Sequence, residues 1–116
     1  MTDTSADCIF CRIVVGEVPA DVVAETETSL AFRDLQPQAP THVLVVPRRH
    51  VPDVGSLALA SPEELADAVG LAARVAADEG LAGFRLVANT GAAAQQSVFH
   101  CHLHVVGGRD LTWPPG

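Results

Sequence analysis

The sequence predicts an α+β domain: an antiparallel sheet of about five strands, with a short N-terminal helix and one long helix. Three observations carry this reading. Short apolar runs separated by polar turns recur on both sides of the chain's middle, a single stretch of helical period lies between them, and the early strands are joined by short connections. Short turns favour antiparallel pairing, with the helices segregated to one face of the sheet.

Each element has its own signal. Residues 8–15 are apolar at helical spacing, and Gly16 is a plausible stop. Residues 22–25 and 30–34 read as short strands around a polar turn at 26–29. The continuous apolar run His42-Val43-Leu44-Val45-Val46, closed by Pro47, fits a buried central strand. The long helix spans 61–79, with Ser61 as N-cap, Pro62 at the first helical position and Glu64 completing a capping box. Its inward face is expected along Leu65, Val69, Ala72 and Ala76, with Glu63, Asp67, Arg74 and Asp78 opposite. Residues 84–89 and 99–106 complete the strands, joined by the loop 90–98.

At 116 residues the chain suits one domain, expected over 1–116, with 1–6 flexible and 107–116 as a C-terminal tail. Aromatic residues are only 4%, so the core must come from Val, Leu and Ala, and burial between two copies would help. The net charge of −7 argues against nucleic acid, which is held by a basic face. The cations are scattered arginines, and only Arg48 and Arg49 are adjacent. A small anionic ligand must therefore be held by backbone amides, hydroxyls and imidazoles. No run of about 18 apolar residues occurs, so no membrane span is expected. The polar, acidic N-terminus is unlike a secretory signal, and three cysteines suit reduced thiols in the cytoplasm.

Five histidines stand at 42, 50, 100, 102 and 104. On a strand, residues two apart face the same way, so His100, His102 and His104 would line one surface while Cys101, Leu103 and Val105 face the other. Two chemistries fit that pattern. Imidazoles can chelate a metal, but at about 3.3 Å rise per residue the outer pair lies roughly 13 Å apart, too far for all three to reach one ion easily. Alternatively, the central imidazole of His102 attacks phosphorus, while its neighbours polarise phosphoryl oxygens.

The run His100-Cys101-His102-Leu103-His104-Val105-Val106 resembles the histidine-triad (HIT) motif. The likeness extends to Asp7-Cys8-Ile9-Phe10-Cys11-Arg12-Ile13, to residues 34–42, to Gly107-Gly108-Arg109, and to the ending Trp113-Pro114-Pro115-Gly116. That ending is similar to the Hint branch of purine nucleoside phosphoramidases. The resemblance implies a division of labour. His102 would attack the α-phosphorus of a nucleoside 5′-phosphoramidate or acyl-adenylate, and water would resolve the nucleotidyl-histidine. His104 would contact the phosphate, with His42 behind the pair as a hydrogen-bonding partner. Asp34 would accept from the ribose hydroxyls, although a residue before Gln36-Pro37 also suits turn initiation. Asn89 and Ser97 would meet the phosphate or leaving group, and Gln95 would contribute through its backbone. The resemblance further implies an AMP-type purine ligand and a homodimer whose joined sheets bring the tail, with Trp113, to the partner's site. One departure stands out: relatives usually carry glycine where this chain has Gln95, behind Ala92-Ala93-Ala94.

Cys8 and Cys11 would share a helix face, either as small buried residues or as half of a metal site. Bacterial members with this Cys-x-x-Cys start are similar in holding a structural zinc. The resemblance thus implies Cys8, Cys11, His50 and His100 as ligands, anchoring the catalytic strand and fixing His102. The alternatives are dinucleoside-polyphosphate hydrolysis, as in the Fhit branch, a nucleotide-binding adaptor with little turnover, and a metal-dependent hydrolase.

Overall fold

A computed structural model of the chain describes residues 7–116, so the flexibility expected of residues 1–6 lies outside the described residues. The described residues form five strands, β1 (Val22–Glu25), β2 (Ser29–Arg33), β3 (Thr41–Pro47), β4 (Phe84–Val87) and β5 (Leu103–Gly107). They also form three α-helices, α1 (Ile9–Val14), α2 (Val54–Ala60) and α3 (Pro62–Asp78). The strands make one sheet in the order β1-β2-β3-β5-β4, with every pairing antiparallel. β3 is central and buried along its whole length, as its unbroken apolar run requires.

Alternation along the strands divides the core in two. Ala31, Val43, Val45, Leu103 and Val105 point to α3 and pack on Ala68, Leu71, Ala72, Val75 and Ala76. The intervening residues Leu30, Phe32, Leu44 and Val46 face the other way and pack on Cys8, Phe10 and Cys11, at and inside the start of α1. The helices are therefore not segregated to one face, as the short turns suggested. α1 covers part of the second face, and the histidines lie beside it.

The inward stripe of α3 holds at Ala72 and Ala76, as expected, but differs from the expected one at Val69. Val69 is 40% exposed, while Ala68, Leu71 and Val75 are buried. The buried side of α3 combines Leu71 and Val75 with the small residues Ala68, Ala72 and Ala76. The cap is half as predicted. Ser61 Oγ accepts from the Glu64 N–H at 3.2 Å, but the Ser61 N–H ends α2 by donating to the Leu57 carbonyl. The Glu64 carboxylate instead takes Arg49, at 2.8 Å. Helix α2 was not anticipated because only Leu57 is buried along it, so no apolar period is visible.

The last strand is shorter than expected. β5 begins at Leu103, and residues 99–102 run outside the ladder, with the Cys101 N–H bonded to the Val51 carbonyl. His104 is thus on the strand, whereas His100 and His102 precede it, and the uniform alternation assumed for the three does not hold.

Truncating Val45, fully buried under α3, should cost about 2 kcal/mol in urea unfolding. The same change at Val69 should stay within about 0.5 kcal/mol; equal losses would contradict the observed facing of α3.

Candidate active site and metal cluster

The antiparallel register places Leu44 opposite His104 and His42 opposite Val106. His42, Leu44 and His104 therefore share the face that α1 only partly covers. There the chain leaves a cleft of about 340 Å³. Its walls include Ile9, Phe10 and Ile13 from α1, Asp34 after β2, Ser97 from the last loop, and His102 and His104.

Hydrogen bonds set the tautomer of each histidine here. The Gln38 N–H donates to His42 Nδ1 at 3.0 Å, so that nitrogen carries no proton. His42 Nε2–H then donates to His104 Nδ1 at 2.9 Å, with Asp34 Oδ2 at 3.4 Å as a weaker acceptor. His104 Nδ1 being an acceptor, the proton of its neutral ring lies on Nε2. That atom is buried and has no partner among the described residues. A buried N–H without an acceptor costs about 1–3 kcal/mol, and an anionic oxygen in the cleft would satisfy it. Burial, helped by the neighbouring His102 and His42, lowers the His104 pKa to about 4, so the ring is neutral near pH 7.

His102 is set the opposite way. Its Nδ1 lies 2.8 Å from the His100 carbonyl, to which it donates, leaving the Nε2 lone pair bare. The Phe10 ring stands edge-on to it, with centroids 5.1 Å apart, and limits its rotation. In the tautomer that this hydrogen bond selects, the His102 Nε2 lone pair stands in the same cleft as an N–H donor without a partner among the described residues, a pairing suited to attack on a phosphoryl centre.

The side chain of His100 turns away from the cleft and is fully buried. Its Nε2–H donates to the Pro47 carbonyl at 2.8 Å, which leaves Nδ1 bare. That Nδ1 lies 3.4 Å from Cys8 Sγ, 3.4 Å from Cys11 Sγ and 3.2 Å from His50 Nδ1. Cys11 Sγ is also 3.2 Å from His50 Nδ1, and all four ligand atoms lie within 4.8 Å of one another. This cluster could hold a metal ion. A carbonyl that fixes the tautomer of a ligating histidine is the usual outer support of such a site.

The structure thus brings together most of the residues singled out in the sequence. Asp34 lines the cleft and also caps a turn, its Oδ1 accepting from the Gln36 N–H at 2.8 Å. Asn89, half-buried just after β4, and Gln95 are not among the cleft walls. Gln95 sits at φ 71°, in the left-handed region, where glycine would be less strained. Trp113 is 82% exposed and outside this cleft. Residues that sequence reasoning missed act through the main chain or through packing. Gln38 and Pro47 set two tautomers, and Phe10 braces His102. The buried Gln96 closes the last loop, accepting from Gly91 N–H and donating to the Pro52 and Val98 carbonyls. Only Phe10 had a signal, an aromatic between two cysteines in a chain poor in aromatics.

Residues 15–111 match the HIT domain family. An uncharacterised HIT-like protein of Synechocystis sp. is 47% identical over 114 residues, covering 95% of this chain and 97% of that protein. The chain is also similar to the crystal structure of a HIT family hydrolase from Legionella pneumophila, at 47% identity and a TM-score of 0.89, covering 94% and 99% of the two chains. A zinc-bound histidine triad family protein from Mycobacterium smegmatis matches at 38% identity and a TM-score of 0.80, covering 91% of this chain and 78% of that one.

Because folding keeps His104 neutral, its stability contribution is complete above the ordinary value of 6.5 and is lost as pH falls towards about 4. In that window the unfolded chain takes up the proton first. Replacing His104 by Asn should flatten the decline of the urea midpoint between those pH values; an unchanged slope would contradict the neutral, buried assignment.

Proposed function

The chain belongs to the HIT domain family, and on that premise we propose that it hydrolyses the P–N or acyl-phosphate bond of purine nucleoside 5′-phosphoramidates or acyl-adenylates. The product is a nucleoside monophosphate of AMP type. The observation that carries this reading is the pairing of a bare His102 Nε2 with the unpartnered His104 Nε2–H at one cleft.

In the proposed reaction His102 Nε2 attacks the α-phosphorus, a P–Nε2 bond forms and the bond to the leaving amine breaks. The amine departs with that electron pair and takes a proton from solvent water beside the exposed Ser97 hydroxyl that lines the cleft, whereas an acyl group departs as its carboxylate. The His102 ring becomes cationic, and its Nδ1–H stays on the His100 carbonyl. His104 Nε2–H donates to a phosphoryl oxygen, with His42 holding the ring from behind. Water then attacks phosphorus, loses a proton to solvent, and His102 leaves with the bond pair. Asp34 keeps carboxylate lone pairs for the ribose hydroxyls. Asn89, Ser97 and the backbone of Gln95 are proposed to meet the phosphate or leaving group when ligand is bound.

Cys8, Cys11, His50 and His100 are proposed to hold a structural zinc. A tetrahedral ion with Zn–N of about 2.0–2.1 Å and Zn–S of about 2.3 Å requires N–N edges of about 3.3 Å and N–S edges of about 3.5 Å. The 3.2 Å between the two imidazole nitrogens and the 3.2 and 3.4 Å to Cys11 Sγ match those edges. Four protein ligands leave no position for water, so the ion would supply anchorage and no Lewis-acid chemistry.

Residues 1–116 are read as one HIT domain with a C-terminal tail. A homodimer is proposed through the edge strand β4, where Phe84 and Leu86 are 40% and 39% exposed. Pairing there would extend the sheet and carry the exposed Trp113 towards the partner's cleft. Among the described residues no helix is long and apolar enough to cross a membrane, and a cytoplasmic setting is proposed.

Incubation with an adenosine phosphoramidate in the presence of a chelator should yield a nucleotidyl adduct on His102 by mass spectrometry. The His102→Ala variant should lose at least about 10³-fold in turnover; retained activity would refute the assignment. Purified, chelator-free protein should carry about one zinc per chain and the Cys11→Ser variant clearly less, with a lower melting temperature. Less than about half an equivalent in the wild type would end the zinc reading.

A further inference from the structure

The Gly107-Gly108-Arg109 segment has no part in the reaction described above. It leaves β5 under tight steric control. A Cβ at Gly107 would fall 2.8 Å from Leu81 Cδ1 and 3.0 Å from the Gly83 carbonyl. Gly108 has φ +94°, and a Cβ there would meet Pro40 Cβ at 3.0 Å. Gly107 thus lies close against the segment that joins α3 to β4, and Gly108 turns the chain at positive φ close against Pro40, in the loop that joins β2 to β3.

The turn delivers Arg109 onto that loop. Its Nε and Nη2 both donate to the Gln38 carbonyl, at 3.3 and 3.1 Å, while Nη1 donates to the Asp110 carbonyl at 3.0 Å. Gln38 is the residue whose N–H occupies His42 Nδ1. We propose that Arg109 is a positioning residue for the histidine relay, clamping Gln38 so that its N–H stays on His42 and the His104 Nε2–H stays aimed at the phosphate. The proposal rests on the phosphoryl-transfer reading of the cleft, and it adds a residue that touches neither substrate nor any of the three histidines.

The consequence of releasing the clamp follows from tautomer logic. His42 faces the Gln38 N–H, the Asp34 carboxylate and His104. Without the Gln38 N–H, His42 Nδ1 is free to carry the proton and Nε2 the lone pair. His104 Nδ1 must then donate, and its Nε2 presents a lone pair to the phosphoryl oxygen. Binding through the nucleoside walls of the cleft would persist, but stabilisation of the developing charge would fall.

The test reads His42 directly. Two-bond ¹H–¹⁵N imidazole spectra of the wild type should show a single Nε2–H tautomer for His42. In Arg109→Gln the His42 signals should move to mixed-tautomer positions, and kcat should drop on the order of tenfold with KM within about twofold. Arg109→Lys keeps one donor without the fork and should restore part of both readouts; it also serves if the glutamine variant fails to fold. A wild-type His42 signature in a folded Arg109→Gln would overturn the proposal, as would a defect confined to KM or to melting temperature. If the wild type shows no phosphoramidate hydrolysis, the functional reading falls while the spectra still decide the role of Arg109.

Discussion

The hydrogen bond from His102 Nδ1–H to the His100 carbonyl is the point on which the two halves of the site meet. One residue serves both through different atoms. The imidazole of His100 enters the cluster with Cys8, Cys11 and His50, while its main-chain oxygen settles which nitrogen of His102 is bare. Anything that fixes the His100 ring also fixes its backbone, because a fully buried ring with its Nε2–H on Pro47 has no room to turn. An ion in the cluster would therefore bear on the orientation of His102, the proposed nucleophile, through the His100 backbone.

Helix α1 binds these halves together. Cys8 at its N-cap and Cys11 in its first turn reach the cluster, and Phe10 between them stands edge-on to His100, His102 and Phe32. Six helical residues could not persist alone. Docking on the face of the sheet opposite α3 makes the helix stable and turns it into one wall of the cleft. The relay on the far side of the cleft depends on main-chain donors instead. Gln38 sets His42, and His42 sets His104, so the unpaired N–H at the end of that chain is imposed by folding and awaits an acceptor.

Much of this was legible beforehand. The caps at Gly16 and Ser61, the apolar run closing at Pro47 and the polar turns carried the order of elements, because they depend on local backbone preference and period. The candidate metal ligands and the cleft histidines could be named in advance through the family resemblance, which the histidine run and the Cys-x-x-Cys start carry in one dimension. The helix α2, with one buried residue, has no period to detect, and on α3 Ala68, Leu71 and Val75 are buried where Val69 was expected to be.

The sequence by itself determined which chemical groups the site contains, since five histidines, two spaced cysteines and an acid before a turn are properties of the chain. The family resemblance already implied how they are divided, and only the tertiary structure decided which of their atoms are available. His100 and His102 precede β5 rather than continuing it, so their side chains part and serve two sites instead of one face. Tautomers are set by carbonyls and amides brought from distant segments: Pro47 for His100, and Gln38, under Arg109, for His42. Main-chain donors and acceptors are the same at every residue, so no pattern of side chains announces where they will fall.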